Sequence, residues 1–574
     1  MFEITLIFTT ALGLAWLLGS YMTGVFSGQS HFSDRLFNPI EKWIYRAIGV
    51  NAHSGMTWKS YGAAFLISNL VLGILAFLIL KFQHVLPLNP DGIGPLSWDL
   101  ALHTAVSFLT NTNQQHYSGQ AQLSYLSQGF VIVTLQFVTP AMALAVCVAI
   151  LRGMLGGLNN DSAKEGEARN LGNYYVDLVR GVLRLMLPLA AIVALLLTWQ
   201  GVPSSFDGAQ KVNTLDSASP ISEQVVPIGP VASMVAIKQL GTNGGGWYGP
   251  NSSNPLENPT PVSNAIETIA LVLIPMAVVF MAGGMLRRKK FTLMALVAMG
   301  LLSVSFLGAT VYSELQPNAA FAGLSAQGPN MEGKEVRFGP ELSALWASFT
   351  TQTSNGSVNA MHDSFNPIGG LMTRSGMLLN AIWGGIGCGF VNFIVYVWIA
   401  VFLSGLMIGR TPEIFGRKLE TREITLLGSL LVLPTLCVLG LTAITVAIPS
   451  ITGNSNPGFH GISQVFYEYT SAFANNGSGF EGLGDNTPWW NISCVIALLL
   501  GRYLPLFLPL AIAGMMSSKR VSPDSNASLK LESPTFCFTL IAVILIINFL
   551  SFLPAAVLGP IGEALELATM SLEK

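Results

Sequence analysis

Charged side chains are scarce in this sequence. Asp, Glu, Lys and Arg together supply only 10% of its 574 residues, whereas soluble domains carry about 25%. So few charges cannot cover a water-exposed surface, which excludes an ordinary soluble protein. The 28 basic and 30 acidic residues leave no basic surplus, so no nucleic-acid partner is expected.

Cysteine and histidine are also few, and they are scattered along the chain. The five cysteines lie far apart in apolar stretches without a CxxC pair, and a disulfide framework or zinc site would need paired spacing. We interpret them as small apolar packing residues. The seven histidines form no HExxH motif. A membrane-embedded enzyme, which needs clustered titratable groups, is therefore not favoured.

Long apolar runs take the place of the missing charges. Apolar residues make up 51% of the chain and its mean hydropathy is +0.55. A bilayer-spanning helix needs about 20 apolar residues. Ten segments meet that length: 4–24, 60–82, 128–151, 175–199, 264–286, 291–313, 376–408, 424–448, 488–515 and 534–556. The sequence therefore predicts an all-α polytopic membrane protein with about ten transmembrane helices.

Lysine and arginine predict the orientation of these spans. One set of alternate connections carries 20 of the 28 basic residues, and short cytoplasmic loops retain such residues. Both termini are therefore expected on the extracytoplasmic side. The first span lacks the basic start and the small-residue cleavage site of a signal peptide, so we expect it to be retained.

Four of the outward loops share one pattern, in which a short apolar helix is followed by a polar stretch. The polar stretches are Asn111-Thr112-Asn113, Thr242-Asn243-Gly244, Ser354-Asn355-Gly356 and Asn475-Asn476-Gly477. Recurring units of this kind indicate pseudo-symmetric repeats around one pore. We expect an extra helix in 1–30, four span–pore-helix–span repeats, and a second extra helix at 534–556. The repeats are predicted at 58–152, 172–286, 291–408 and 424–515.

The composition of the four stretches predicts a cation-selective filter. Glycine permits conformations that turn carbonyl groups inward, and Asn and Thr side chains can brace neighbouring segments. Rings of carbonyl oxygens replace the hydration shell of a cation, and the negative C-terminal ends of the short helices favour a cation at the centre. The stretches contain no Asp or Glu. A monovalent ion is therefore expected, and K+ is cheaper to dehydrate than Na+.

The longer motifs around the stretches resemble a known family. TNTNQQHYSG, GTNGGGWYGPNSSNPLENPTP, TSNGSVNAMHDSFNPIGG and NNGSGFEGLGDNTPWW are similar to those of the potassium-binding A subunit of the bacterial Kdp potassium-transporting ATPase, which is related to the Trk, Ktr and HKT transporters. The resemblance implies K+ as the transported ion and the bacterial inner membrane, with its lipid, as the location. It also implies two partners, a P-type ATPase catalytic subunit and a small single-span accessory subunit. The chain would take K+ from outside and pass it to the ATPase subunit.

The chain itself lacks the signature of ATP hydrolysis. No DKTG phosphorylation motif occurs, so no ATP site is expected on this chain and the partner would hydrolyse ATP. The alternative is a self-sufficient Trk- or Ktr-like translocator gated by a cytoplasmic partner. The two terminal spans and the second motif favour the pump subunit.

Several further residues are candidates for the ion path. Gln115 follows the first stretch and is expected either to line the pore mouth or to brace a neighbouring loop. Arg502 lies within a span, where a charge is paired or functional. This span follows the fourth polar stretch inward, so Arg502 is expected beneath the pore, and the resemblance implies that it guards the narrow region below the filter. Gly384, Gly385, Gly387 and Gly389 should interrupt the seventh span and let a loop cross the cavity. The first stretch has no glycine. We align Asn113 with Gly244, Gly356 and Gly477, and a one-residue shift would place Gln114 there instead.

Overall fold

A computed structural model describes residues 1–158, 167–215, 220–321, 328–522 and 530–572. The gaps at 216–219 and 322–327 fall within the predicted second and third repeats, so these parts of the two repeats lie outside the described residues.

The described residues form twenty α-helices and four short strands. The helices are α1 Phe2–Phe26, α2 Asp34–Ala47, α3 Trp58–Phe82, α4 Trp98–Leu109, α5 Gly119–Gln122, α6 Val133–Leu155, α7 Tyr174–Arg180, α8 Leu187–Trp199, α9 Val231–Leu240, α10 Pro261–Leu286, α11 Lys289–Glu314, α12 Gly339–Gln352, α13 Pro367–Leu379, α14 Cys388–Ile408, α15 Thr421–Ala447, α16 Pro449–Thr452, α17 Gly458–Phe473, α18 Pro488–Ser517, α19 Pro534–Ala556 and α20 Gly562–Leu572. Two antiparallel hairpins pair β1 Gln210–Asn213 with β2 Glu223–Val226 and β3 Glu413–Ile414 with β4 Arg417–Lys418.

Short π-helical turns extend three of the spans. They cover Ser127–Ile132, Gly181–Met186 and Val557–Ile561. Turns of 3₁₀ helix occur at Gln83–Val85, Asn251–Ser253, Ala319–Phe321 and His362–Ser364.

Ten helices among the described residues are long and apolar enough to cross a bilayer. They are Phe2–Phe26, Trp58–Val85, Ser127–Leu155, Tyr174–Trp199, Pro261–Leu286, Lys289–Phe321, Cys388–Ile408, Thr421–Ala447, Pro488–Ser517 and Pro534–Thr569. The predicted fold class, an all-α polytopic membrane protein with about ten spans, is confirmed.

The seventh span differs from the prediction at its start. The apolar run predicts one span over 376–408, but helix α13 ends at Leu379 and α14 begins only at Cys388. Between them the backbone takes left-handed conformations at Asn380 (φ 42°), Gly384 (φ 60°) and Gly387 (φ 77°), which no helix can continue through. The predicted interruption by the glycines is therefore confirmed, and the continuous span is confined to 388–408.

Four shorter helices, α4, α9, α12 and α17, are the pore helices. They contain 10 to 16 residues, too few to span a bilayer. Each ends immediately before one of the four polar stretches. The predicted filter segments therefore lie at the negative ends of four helix dipoles.

The first extra helix is held to the repeats by small residues. In α1, Ala11, Ala15 and Gly19 recur every four residues, so they form one face. That face packs along α10, where a Cβ on Gly19 would lie only 2.6 Å from the Ala277 carbonyl oxygen. Close contact of this kind replaces the hydrophobic effect, which does not drive helix association within lipid.

Candidate functional site

The four polar stretches adopt one repeated backbone conformation. In each stretch the first and third residues have positive φ and the second does not. The pairs are Asn111 and Asn113 (62° and 57°), Thr242 and Gly244 (49° and 83°), Ser354 and Gly356 (48° and 91°), and Asn475 and Gly477 (53° and 102°). Positive φ is uncommon for residues other than glycine. Four equivalent pairs therefore indicate one structure built four times.

The third residue of a stretch lies against the carbonyl group of the next repeat. A Cβ on Gly244 would lie 2.0 Å from the Asn355 carbonyl oxygen, and one on Gly356 would lie 2.0 Å from that of Asn476. A Cβ on Gly477 would lie 2.1 Å from the Thr112 carbonyl oxygen. No side chain fits at these separations. Glycine is therefore required by contact as well as by φ, and the four stretches close in the order 1–2–3–4.

Asparagine side chains tie the ring together. Asn476 Nδ2 donates to the Thr350 carbonyl oxygen (2.8 Å) and Asn355 Nδ2 to that of Lys238 (3.2 Å). Each of these bonds crosses from one repeat to the preceding one. Asn111 Nδ2 reaches the Thr242 carbonyl oxygen (3.0 Å). Asn475 Nδ2 reaches Thr112 Oγ1 (3.0 Å), which joins the fourth repeat to the first.

The first repeat closes the ring without a glycine. Asn113 has the same left-handed conformation as the three glycines, and its Oδ1 accepts a hydrogen bond from Gln136 Nε2 (3.4 Å). The same Gln136 amide donates to the Gly245 carbonyl oxygen (2.9 Å). By backbone conformation Asn113, rather than Gln114, is the residue equivalent to the glycines, and the ring is only approximately fourfold.

In each repeat, the residue six positions before the third residue of the polar stretch supports the ring. These residues are Ser107, Lys238, Thr350 and Ser471. The carbonyl oxygen of each accepts a hydrogen bond from a backbone N–H of the polar stretch that follows it. Thr350 Oγ1 and Ser471 Oγ also accept from Gly356 N and Gly477 N, both at 2.9 Å. Three repeats therefore use a small hydroxyl group at this position, and the second repeat uses a lysine.

Lys238 is the centre of a fully buried charged network. Its Nζ donates to Glu257, to Asn251 Oδ1 (2.6 Å) and to Ser252 Oγ (2.7 Å). Lys238 and Glu257 are both 0% exposed, so each charge depends on the other for compensation. Asn251 Nδ2 in turn donates to the Gly244 carbonyl oxygen (2.5 Å). The network thus fixes the second polar stretch through Asn251.

A wide acidic vestibule opens above the ring. Its volume is about 480 Å³, and Gly356 and Gly477 lie at its base. Glu468 and Asp485 contribute carboxylates, and the imidazole of His116 lies beside Glu468. Burial raises the pKa of Glu481, which also lines the vestibule, to about 8, so this carboxyl group is largely protonated near pH 7. The carboxylates therefore outnumber the cationic side chains, and a cleft with a surplus of one charge concentrates the opposite ions. The vestibule therefore attracts cations to the ring.

Gln115 both lines the vestibule and braces the second repeat. Its Nε2 donates to the Gly246 carbonyl oxygen (3.0 Å) and its Oε1 accepts from Gly246 N (2.8 Å). Neighbouring Gln114 donates to Glu468 and His116 Nε2 lies 3.3 Å from the same carboxylate. Burial alone would lower the pKa of His116, but the charge of Asp485 and the Glu468 contact raise it overall. His116 and Glu468 therefore form an ion pair beside the first stretch.

The loop between α13 and α14 lies directly beneath the ring. Ile386 N donates to Thr242 Oγ1 (3.2 Å) and Gly384 N to the Gln352 carbonyl oxygen (2.7 Å). A Cβ on Gly385 would be 3.6 Å from Thr242 Oγ1, and one on Gly387 would be 2.7 Å from the backbone of α6. Gly384 and Gly389 touch each other, since a Cβ on Gly384 would lie 2.1 Å from Gly389 Cα. All four predicted glycines therefore lie in this closely packed loop, which crosses beneath the ring and is called the glycine crossing below.

Arg502 lies at the same level, below the first and fourth stretches. It is 3% exposed, and its guanidinium donates to Cys388 Sγ (2.8 Å) and to the Thr139 carbonyl oxygen (3.1 Å). Among the described residues it forms no ion pair with a carboxylate. Arg502, Asn111, Ser354 and Asn475 line a cavity of about 10 Å³, the room of about one water molecule.

A second cavity continues sideways from this point. It shares Asn380, Asn392, Gly501 and Pro505 with the small cavity, and its volume is about 80 Å³. The rest of its lining is largely apolar and includes Val395 from α14 and Leu430 and Val438 from α15, all three buried. The space below the ring therefore continues sideways between the third and fourth repeats.

The sequence reasoning missed the supporting residues Lys238, Glu257, Gln136 and Glu468. Lys238 carried a usable signal, because it is a charge within a short apolar helix next to a predicted filter stretch. Gln136 and Glu468 carried a weaker one, as polar residues within apolar helices. Their partners lie up to 354 positions away, and no local pattern reveals such pairs.

Comparison with known proteins places the whole chain in one family. The family model described as the Potassium-transporting ATPase A subunit matches residues 5–565. A potassium-transporting ATPase potassium-binding subunit of Gloeobacter violaceus is 46% identical, over 95% of this chain and 94% of the relative. Relatives with the same name from Pseudomonas aeruginosa (46%, 98% of each chain) and Synechocystis (44%, 98% and 99%) are similarly close.

A solved structure shares the fold at low sequence identity. The crystal structure of the potassium transporter TrkH from Vibrio parahaemolyticus aligns with a TM-score of 0.51 and 13% identity, over 89% of this chain and 98% of that one. At this identity the likeness concerns the fold alone. The family match and the relatives covering nearly the full length show that the chain belongs to the Potassium-transporting ATPase A subunit family.

Proposed function

We propose that this chain is the potassium-selecting subunit of an ATP-driven K+ uptake complex, and that the four-stretch ring is its selectivity filter. The observation that carries the proposal is the closed ring, in which Gly244, Gly356 and Gly477 each lie against a carbonyl group of the next repeat. Carbonyl oxygens arranged in this way replace the hydration shell of a cation. The filter residues are the twelve of the four stretches, with Gln115 at the pore mouth.

The obstruction below the filter supports a lateral route for the ion. The glycine crossing lies across the axis beneath Thr242 and Gln352, and Arg502 adds a positive charge. Repulsion between two unit charges about 4 Å apart is about 4 kcal/mol at an effective dielectric constant of 20. A K+ ion leaving the filter therefore meets a barrier straight ahead, whereas Asn380 and Asn392 line the way into the lateral cavity.

The lateral cavity also supports the proposed partnership. Its largely apolar wall includes residues of α14 and α15, and we propose that a second membrane subunit receives the ion on this side of the ring. The names of the relatives place such subunits in an ATPase. We propose a P-type ATPase catalytic subunit as the receiving partner, with a small single-span accessory subunit in the same complex. ATP hydrolysis belongs to the partner, and this chain binds and transfers K+.

The proposed location is the bacterial cell (inner) membrane, with both termini extracytoplasmic. This orientation places the acidic vestibule outside and the basic connections inside, as short cytoplasmic loops require. It also directs entry of K+ from the outside.

Reconstitution with and without the ATPase subunit tests the proposal. The complex in proteoliposomes should hydrolyse ATP in response to K+ but not Na+, and should accumulate K+. The chain alone should give no sustained K+ flux. Rapid passive K+ flux through the chain alone would contradict the pump assignment and favour a self-sufficient translocator, and stimulation by Na+ equal to that by K+ would contradict the filter.

A further inference from the structure

Three side chains with metal-binding atoms meet in the wall between the vestibule and α18. They are His116 from the loop after the first stretch, Glu468 from pore helix α17 and Cys494 from α18. Their ligand atoms all lie within 4.8 Å of one another, and all three residues are buried. Zinc–ligand bonds of about 2.0 to 2.3 Å place tetrahedral ligand atoms roughly 3.3 to 3.8 Å apart. Small side-chain rotations therefore suffice to close the cluster on one ion.

The hydrogen bonds around His116 orient its Nε2 toward the cluster. Asn491 Nδ2 donates to Asp99 Oδ2 (2.9 Å), so Asn491 Oδ1 is left to accept from His116 Nδ1 (2.8 Å). His116 Nε2 then faces Glu468 Oε1 at 3.3 Å. His116 thus donates through Nδ1 to an amide oxygen that the Asp99 carboxylate holds in place, and outer partners of this kind orient metal-ligating histidines. The histidine ring is further held by stacking on His103, with centroids 3.7 Å apart.

The chemistry of the three ligand atoms indicates which class of ion the cluster would bind. An imidazole, a carboxylate and a thiolate suit Zn²⁺ or Cd²⁺, whereas K+ takes oxygen ligands only. His116 and Glu468 also line the vestibule. An ion can therefore enter from outside, and a vestibule water molecule can complete a fourfold coordination.

We propose that His116, Glu468 and Cys494 form an inhibitory site for Zn²⁺ or Cd²⁺ that opens from the extracytoplasmic vestibule. Binding forms bonds to His116 Nε2, a Glu468 oxygen and Cys494 Sγ. It releases the proton of the histidine–carboxylate pair and the thiol proton to solvent. The bound ion pulls Glu468 away from Gln114, which flanks the first filter stretch, and adds positive charge beside the vestibule. Both effects weaken K+ binding, so inhibition should be competitive with K+.

Cadmium binding to the purified chain tests the site independently of pumping. The wild-type chain should bind one Cd²⁺ with an ultraviolet thiolate-to-metal charge-transfer band. Cys494→Ser should lose the band and weaken binding by at least the roughly 10- to 100-fold that loss of an outer-shell partner costs. Cys537→Ser is the matched control, because Cys537 is another buried span cysteine, in α19, and it contacts the Met294 carbonyl oxygen instead. An identical band in Cys494→Ser, or no band in the wild type, would overturn the site.

Inhibition of the assembled complex tests the consequence, and this arm rests on the proposed function. External ZnCl2 or CdCl2 should raise the K+ concentration for half-maximal ATPase activity in the wild type and in Cys537→Ser, but not in Cys494→Ser. If Cys494→Ser fails to assemble, Cys494→Ala replaces it, since alanine also removes the ligand. Equal inhibition of wild type and Cys494 variants would assign the effect to the ATPase subunit and overturn the inhibitory role. Absence of any K+-stimulated ATPase activity would instead contradict the proposed function while leaving the binding result standing.

Discussion

Asn476 reaches across a repeat boundary to the carbonyl oxygen of Thr350 (2.8 Å), the residue whose hydroxyl group accepts from Gly356 N. One asparagine of the fourth repeat thereby fixes the support of the third filter stretch. Asn355 makes the equivalent bond to Lys238. The stretches are therefore mutually braced, so a change in one repeat is expected to affect its neighbour.

Gly356 gives the most direct test of the filter. In Gly356→Ala the new Cβ would lie 2.0 Å from the Asn476 carbonyl oxygen, and Gly356→Asp adds a carboxylate as well. We expect the K+ concentration for half-maximal ATPase activity to rise by about tenfold or more in both, equivalent to about 1.4 kcal/mol. Gly300→Ala in α11 is the control, because a Cβ there meets nothing within 4 Å. Unchanged K+ titration of both Gly356 variants would remove this residue from the filter.

Gln115→Arg tests the pore mouth. The substitution removes both hydrogen bonds to Gly246 and places a cation in the acidic vestibule. The K+ concentration for half-maximal activity should increase, and more so at low ionic strength, because salt screens the repulsion. Gln316→Arg adds the same charge at a glutamine whose side-chain amide donates to the Tyr312 carbonyl oxygen. If both variants behave alike, the effect is one of net charge and Gln115 has no local role.

Arg502→Ala tests the barrier below the filter. Loss of the guanidinium should uncouple the complex, so that ATP hydrolysis continues with less net K+ uptake or with a passive leak. Arg502→Lys keeps the charge and should retain more coupling. The ratio of K+ transported to ATP hydrolysed in proteoliposomes is the measurement. A ratio equal to wild type in Arg502→Ala would reduce Arg502 to a packing role with Cys388 and Thr139.

Substitutions of the buried pair Lys238 and Glu257 test whether their network supports stability and K+ binding. Lys238→Met leaves Glu257 as an uncompensated buried charge, which costs about 3 to 5 kcal/mol. The single variant should lower the thermal stability of the purified chain and weaken K+ binding through Asn251 and Gly244. In the double variant Lys238→Met/Glu257→Gln stability should partly recover, but K+ binding should not, because Asn251 still lacks its partner. Full recovery of K+ binding would separate the network from the filter.

The contacts of His460 predict a pH effect on stability at the start of α20. It bonds Asp363 Oδ1 (2.9 Å) and Glu563 Oε1 (2.8 Å). Burial lowers its pKa, but the two carboxylates outweigh burial and raise it to about 9. Since the folded pKa lies above the ordinary value, the stabilisation is complete below pH 6.5 and is lost as the pH rises through about 9. Protection of the 562–572 amides, taken as the exchange rate relative to the intrinsic rate at the same pH, should fall over this range in the wild type. In the His460→Gln variant this loss of protection should be absent, and an equal loss in both proteins would contradict the assignment.

Much of this architecture follows from local sequence patterns. The spans follow from apolar length, and Gly384 and Gly387 signal the broken seventh span because a left-handed backbone favours glycine. The start of α14 at Cys388 was missed, since the residues of the crossing are themselves apolar and hydropathy does not distinguish them from helix. Lys238 was visible as a charge, but Glu257 became its partner only through folding. Asn113 shows the same limit of local sequence patterns, because its equivalence to Gly244 is visible in its positive φ and not in its residue type.

The unequal quarters of the ring have a consequence for how such a protein can be assembled. Four identical subunits around an axis would repeat every opening four times, so an ion leaving the centre would have four equivalent exits. Here one covalent chain contains all four repeats, so the sequence of each repeat can diverge independently of the others. In the described part of the chain, the crossing at Gly384–Gly389 interrupts a span of the third repeat alone, and the lateral cavity lies beside it. Under the proposed function, an exit on this one side of the ring would give the receiving subunit a single binding position, and so a one-to-one stoichiometry.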